Sequence, residues 1–169
     1  MNQWERRILG VLALGGSYLG AVLALDLFFS AAGILDRLFM VLFIALYCWG
    51  IWCGVHLLEG SRNVLRANRL FWAFQIPYLT SPVFGFYFAS GALLRVFYEP
   101  ASTNLSAQYS IGSEFRYSLL QPDKPFTIGV NVFALAIFAY FTYRLRPAKP
   151  DDPISTVESM IARRSNANE

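Results

Sequence analysis

Charge is scarce in this chain: 14 Lys and Arg and 11 Asp and Glu make up 15% of its 169 residues, against about 25% in ordinary soluble domains. Too few ionic side chains remain to cover a water-facing surface. Histidine occurs once, as His56, and cysteine twice, as Cys48 and Cys53. So small a stock of soft ligands argues against a zinc or iron–sulfur centre. Five residues apart on a helix, the two thiols point about 140° apart around the axis, which excludes an intrahelical disulfide. No Gly-rich phosphate loop and no internal repeat is present. The net charge of +3 comes from basic residues that flank apolar blocks rather than forming a stripe or patch, so nucleic acid is not the expected partner.

What the chain has in abundance is apolar sequence: 56% hydrophobic residues and a mean hydropathy of +0.42. These residues fall into four blocks, at about 8–32, 38–58, 70–94 and 126–143. Each is near the roughly 20 residues that a helix needs to cross a hydrocarbon core. The expectation is an all-α integral membrane protein, a four-transmembrane-helix bundle over residues 1–146 with a cytoplasmic tail at 147–169. Arg6 and Arg7 precede the first block, Arg62, Arg66 and Arg69 follow the second, and Arg144, Arg146 and Lys149 follow the fourth. By the positive-inside rule both ends are cytoplasmic, in a bacterial inner membrane. Ser30-Ala31-Ala32 would suit a signal peptidase, but the first block is longer than a signal sequence requires.

Two segments depart from plain spans. The third block carries Pro77 and Pro82, which predicts a kinked helix. Between the third and fourth blocks, residues 95–125 form an extracytoplasmic loop in which Tyr109, Ile111, Phe115, Tyr117 and Leu119 alternate with polar residues. This pattern predicts one strand over about 108–119, with Gly112-Ser113 as a bulge or turn and Pro122-Asp123-Lys124-Pro125 as its stop. The tail begins with a Pro-rich linker; Ser155 and Glu158 then have capping-box spacing for a short amphipathic helix.

Candidate functional residues are single polar groups within apolar surroundings. Asp26, near the outer end of the first span, calls for a partner, and Arg37, Arg95 and Asn131 are predicted at the same depth. His56 and Glu59 share a helical face near the inner interface. Gln75, Thr80 and Ser81 surround the two prolines, where an interrupted helix would expose carbonyls to a transported ligand. Gly16-x-x-x-Gly20 and Gly50-x-x-x-Gly54 are small-residue faces for close helix packing. In the outer strand, Tyr109, Ile111, Phe115 and Tyr117 are the candidates for holding a partner.

The four-span plan is similar to that of membrane oxidoreductases that pass electrons from disulfides to quinone, but neither outer loop has the cysteine pair such chemistry needs. Claudin-like proteins place a strand-bearing loop after the first helix, whereas here it follows the third block. No family follows from either comparison. No nucleophile and base lie in plausible reach of each other, so an enzyme is not expected, and no cofactor or metal is implied. The sequence favours an accessory, assembly or immunity-type subunit of a membrane complex, in contact with the bilayer and with a protein partner or further copies of itself. The alternatives are a small oligomeric channel or transporter with its pathway at the kinked helix, and a redox protein holding haem or quinone at His56.

Overall fold

The computed structural model describes residues 1–61, 64–100 and 103–146. The expected tail helix and Arg62 lie outside them. The chain begins with α1 (Gln3–Ser30) and α2 (Ile34–Glu59), an antiparallel hairpin, followed by the short α3 (Val64–Ala73). Six strands come next, β1 (Pro77–Thr80), β2 (Phe84–Ala89), β3 (Ala92–Glu99), β4 (Asn104–Ile111), β5 (Glu114–Leu119) and β6 (Thr127–Asn131), and then α4 (Val132–Arg144). All strand pairs are antiparallel, in the order β4-β3-β6-β1-β2-β5.

The four-helix membrane bundle is therefore wrong in its second half. Among the described residues only α1 and α2 are long and apolar enough to cross a membrane. The block at 70–94 divides: α3 stops at Ala73, ahead of Pro77, whose ring disfavours helical backbone in the residue before it. From there Phe84, Phe86 and Phe88 alternate with Gly85, Tyr87 and Ala89, a period of two that builds β2. The block at 126–143 also divides, its first residues forming β6 and its last 12 lying in the 13-residue α4. At about 1.5 Å per residue, α4 spans only about 20 Å, short of a hydrocarbon core of about 30 Å. The single predicted strand is two, β4 and β5, separated by Gly112 and Ser113.

Two short links force this sheet to roll. Ser90 and Gly91 join β2 to β3, yet β1 and β6 lie between those strands. On a flat sheet they would be about 14 Å apart, whereas three Cα steps reach at most about 11 Å. Gly112 and Ser113 likewise join β4 to β5, the two edges of the sheet, about 24 Å apart if flat. Both links sit at one end of the roll, where Gly112 N–H donates to the Gly91 carbonyl at 2.9 Å. At the other end, hairpins join neighbouring strands and the longer 120–126 segment returns to β6, so that end is not drawn shut.

Opposed residues in antiparallel strands point to the same face, so the pairings sort the sheet into two surfaces. The outer one carries Phe86 and Phe88 of β2, Phe115 and Tyr117 of β5, Val96 of β3 and Val130 of β6. The inner one carries Tyr78, Tyr87, Arg95, Phe97 and Gln108. The outer face of β2 and β5 packs on α2. Phe43 lies 4.6 Å from Phe115 and 5.8 Å from Phe86, and Tyr47 lies 4.8 Å from Phe88, centroid to centroid. Aromatic pairs of this kind contribute about 0.5–1.5 kcal/mol each beyond burial. On the other half of the hairpin, α3 and α4 pack together, with Asn68 donating to the Cys53 carbonyl and Glu5 bridging Tyr140 and Arg144.

The closed end of the roll meets α1 backbone to backbone at Gly16. A Cβ there would stand 2.1 Å from the amide nitrogen of Gly91, which itself has φ +89°. Gly16→Ala is therefore expected to cost about 1–3 kcal/mol through overpacking. Gly15→Ala, with nothing within 4 Å of the added carbon, should be neutral or stabilise by up to about 1 kcal/mol. Thermal melts of the two variants in one mild detergent check this, and equal shifts would contradict the contact.

Candidate functional site

The sheet offers two unusual features: a polar interior and an uncovered edge. Inside the roll, Arg95 is 5% exposed, with its guanidinium carbon 4.4 Å from the Tyr78 ring centre, 5.0 Å from Tyr87 and 5.4 Å from Phe97. Its Nη2 donates to Gln108 Oε1, while Nε and Nη1 have no hydrogen-bond partner among the described residues. Ring faces offset part of the desolvation of a guanidinium, about 2 kcal/mol for a buried contact, but a buried charge lacking its hydrogen bonds still costs several kcal/mol. The Tyr87 hydroxyl, also buried, lacks a partner too.

The edge is β4, which pairs with β3 on one side only and carries no charged residue in Asn104–Ile111. Its outward side chains Leu105, Tyr109 and Ile111 are 66–75% exposed. The opposite edge, β5, also pairs on one side only, but it carries Glu114 and Arg116 and its outer face is covered by α2. Tyr117 stacks on Phe39 at 4.6 Å and its hydroxyl donates to Asp36 at 2.6 Å. Of the four predicted partner-holding residues, Phe115 and Tyr117 thus bind the chain's own α2, and Tyr109 and Ile111 remain on the surface. A groove of about 370 Å³ runs beside that contact, between Ser30, Asp36 and Met40 of the hairpin and Phe115, Arg116 and Tyr117 of β5.

The other predicted residues scatter. Asp26 is exposed on α1, and its expected partners are elsewhere: Arg37 donates to the Ala31 carbonyl, Arg95 is inside the roll, and Asn131 caps α4. His56 Nδ1–H donates to the Trp52 carbonyl at 3.0 Å within its own helix, and Glu59 is exposed at the end of α2. Among the described residues no cluster of three His, Cys, Asp or Glu could hold a metal ion. Thr80 and Ser81 are not in an interrupted helix. Thr80 pairs with Thr127, and the Ser81 hydroxyl ties the β1–β2 turn by donating to the Phe84 carbonyl and accepting its N–H. The polar pathway expected at a kinked third helix has no helix to occupy.

Gln75 and Asn131 instead join the sheet's closed end to the helices. Gln75 Oε1 accepts from Ser90 N–H at 2.8 Å, and Asn131 Oδ1 accepts from the amides of Leu94 and Ala134, each at 3.3 Å. The four glycines of the small-residue faces all meet groups of this same chain. Gly16 meets Gly91, Gly20 the Tyr47 ring, Gly50 Ser17 and Phe71, and Gly54 the backbone of Leu14.

Sequence reasoning placed Arg95 beside a membrane span and missed its role as the buried centre of a roll. The signal was present as alternation, since Leu93, Arg95 and Phe97 fall on one face of a strand, but the apolar run preceding them masked it. No protein-family model matches the chain, and no curated protein or solved structure matches it either.

Proposed function

We propose that the chain is an integral membrane protein whose α1–α2 hairpin spans the bilayer. Its rolled sheet serves as an interaction module of a membrane complex, docking a strand of a protein partner on β4. The observation that carries this reading is the long, uncharged and unpaired β4 edge beside an apolar hairpin. Soluble proteins usually blunt such an edge with Lys, Pro or a bulge; this one carries none of them.

The position of the sheet sharpens the argument. β2 and β5 lie along the first half of α2, from Asp36 to Tyr47, so a spanning hairpin brings the sheet's apolar outer face to membrane depth. Apolar-out and polar-in is the pattern of membrane barrels, which escape unpaired backbone by closing. This sheet rolls but leaves β4 unpaired, and each unsatisfied amide or carbonyl in lipid costs several kcal/mol. A partner strand removes that cost and turns the edge into a selective dock. The accessory or assembly role follows from this, since no catalytic constellation competes for it.

Sidedness follows from charge. Glu5 and Arg144 meet at 2.9 Å, and Arg6 lies beside Gly60 at the end of α2, which puts the start of α1, the end of α2 and the end of α4 together. With Arg7 and Arg146 nearby in sequence, this end belongs in the cytoplasm of a bacterial cell by the positive-inside rule.

The test is a mild-detergent pulldown of the tagged full chain from its native membrane, with mass spectrometry of the intact complex. A stoichiometric partner protein should be recovered with wild type and lost with Tyr109→Lys/Ile111→Lys, whose charges sit on the edge and not in the core. A protein that comes through as a monomer, or a partner retained by that variant, would refute docking on β4.

A further inference from the structure

The edge accounts for the outside of the sheet and leaves Arg95 unexplained. Its side chain is 95% buried, it is held against three aromatic rings, and it has two nitrogen donors to spare. A purely structural arginine at such depth normally spends its donors on carbonyls or a carboxylate. Here one nitrogen is spent, on Gln108.

What lies along the same inner face matters next. Two steps from Arg95 toward the open end of the roll, and one step beyond the row of Tyr78, Tyr87 and Phe97 whose rings hold the guanidinium, the register places Thr80 opposite Thr127, and Ser118 opposite Gly85. Ser118 and Thr127 are 5% and 6% exposed, and Gly85 leaves room for the Ser118 hydroxyl, since a Cβ there would stand 2.3 Å from Ser118 Oγ as it lies. Small hydroxyls, able to rotate as donors, thus line the approach to a guanidinium with unused N–H groups. The closed end of the roll, sealed by the 90–91 and 112–113 links, lies behind Arg95. Glu114 at that sealed end, Arg116 opposite Tyr87 and Glu99 level with Thr127 share the inner face, so the attraction is local to the buried guanidinium rather than a property of the whole roll.

We propose that the interior of the rolled sheet binds a phosphate-type oxyanion, with Arg95 as the charged donor and the hydroxyls of Ser118 and Thr127 as its neutral partners. The ring faces of Tyr78, Tyr87 and Phe97 hold the guanidinium flat and fixed, so that little ordering remains when the anion enters. Charge-assisted hydrogen bonds from arginine to phosphate are the stronger class of such contacts. Free phosphate and a lipid headgroup, which the sheet's place beside the hairpin puts within reach, share this chemistry, and the experiment separates the two sources. This inference does not depend on docking at β4.

The purified full chain in a non-ionic detergent is titrated with inorganic phosphate at constant ionic strength, with chloride as control, while the thermal midpoint is followed. The same preparation is examined by native mass spectrometry for retained phospholipid. A phosphate-dependent rise in midpoint marks the free anion, and a co-purifying phospholipid marks the headgroup. In either case Arg95→Gln should weaken the response at least tenfold or lose the lipid. Should Arg95→Gln fail to fold, Ser118→Ala and Thr127→Val, which leave the guanidinium intact, are expected to weaken it several-fold. The absence of both a phosphate response and a bound phospholipid in the wild type would overturn the proposal. So would a response that all three variants share unchanged.

Discussion

Everything above α3 hangs on the contact between Gly16 of α1 and the Ser90–Gly91 link. Gly91 lies against Gly16, and its carbonyl accepts the amide of Gly112 from the other link. Ser90 is bonded to Ser17 through its hydroxyl and to Gln75 through its amide. The two links that force the sheet to roll are thereby fastened to each other and to the hairpin at one place. A side chain at 16 would separate them, because backbone atoms of Ser90 and Gly91 occupy the space, and one at 91 would meet the Leu12 carbonyl and side chain. The roll, the burial of Arg95 and the exposure of β4 all follow from bringing four strand ends to that point.

Rolling also decides which face of the sheet is which. A flat sheet on a helical hairpin buries one face and shows the other to solvent. In this chain the face toward the hairpin is apolar, and the opposite face curls on itself to enclose its polar residues, so apolar side chains end up outside on both the packed and the unpacked halves. Leu94, Tyr98, Ile128 and Val130 on the unpacked half are each about 40–50% exposed, continuing the apolar surface of α1 and α2. Such an exterior is costly in water and natural in lipid, which is why the hairpin and the sheet are best considered as one body with respect to a membrane.

The first half of the fold was legible and the second was not, for a physical reason. Residues 8–58 have no proline and long apolar runs, and they form the two helices, from Gln3–Ser30 and Ile34–Glu59. Between 70 and 94, hydropathy summed over a window hides the period, because Phe84, Tyr87 and Phe88 are apolar on both faces of a strand whose two faces are both buried. Pro77, Pro82, Gly85 and Gly91 were the contrary signal, four residues poorly suited to helix in fifteen positions, and taking them for a kink let length outweigh them. The alternation in 108–119 was correctly periodic, yet nothing in it tells that β4 and β5 belong to opposite edges, since that depends on where β1 and β6 insert. Of the candidate residues, Asp26, His56 and Glu59 drew attention because they are polar in apolar sequence, but their places are on helix surfaces.

The buried polar groups divide into two kinds, and the division separates scaffold from site. Gln75, Asn131, Ser17 and Ser90 lie at the junction of helices and sheet, and each makes at least one hydrogen bond to backbone or to another of the set. They satisfy groups that strand ends and a helix start would otherwise leave orphaned, and their cost is met where they stand. Arg95 differs in being central to its strand, away from any chain end that needs a donor. Its two unused nitrogens do not repair the fold, and a neutral residue of similar volume would fill the space at lower cost. A chain so sparing with charge that nevertheless encloses a guanidinium among three aromatic rings places the chemical interest of the molecule inside the roll, with the helices as the support that keeps it closed.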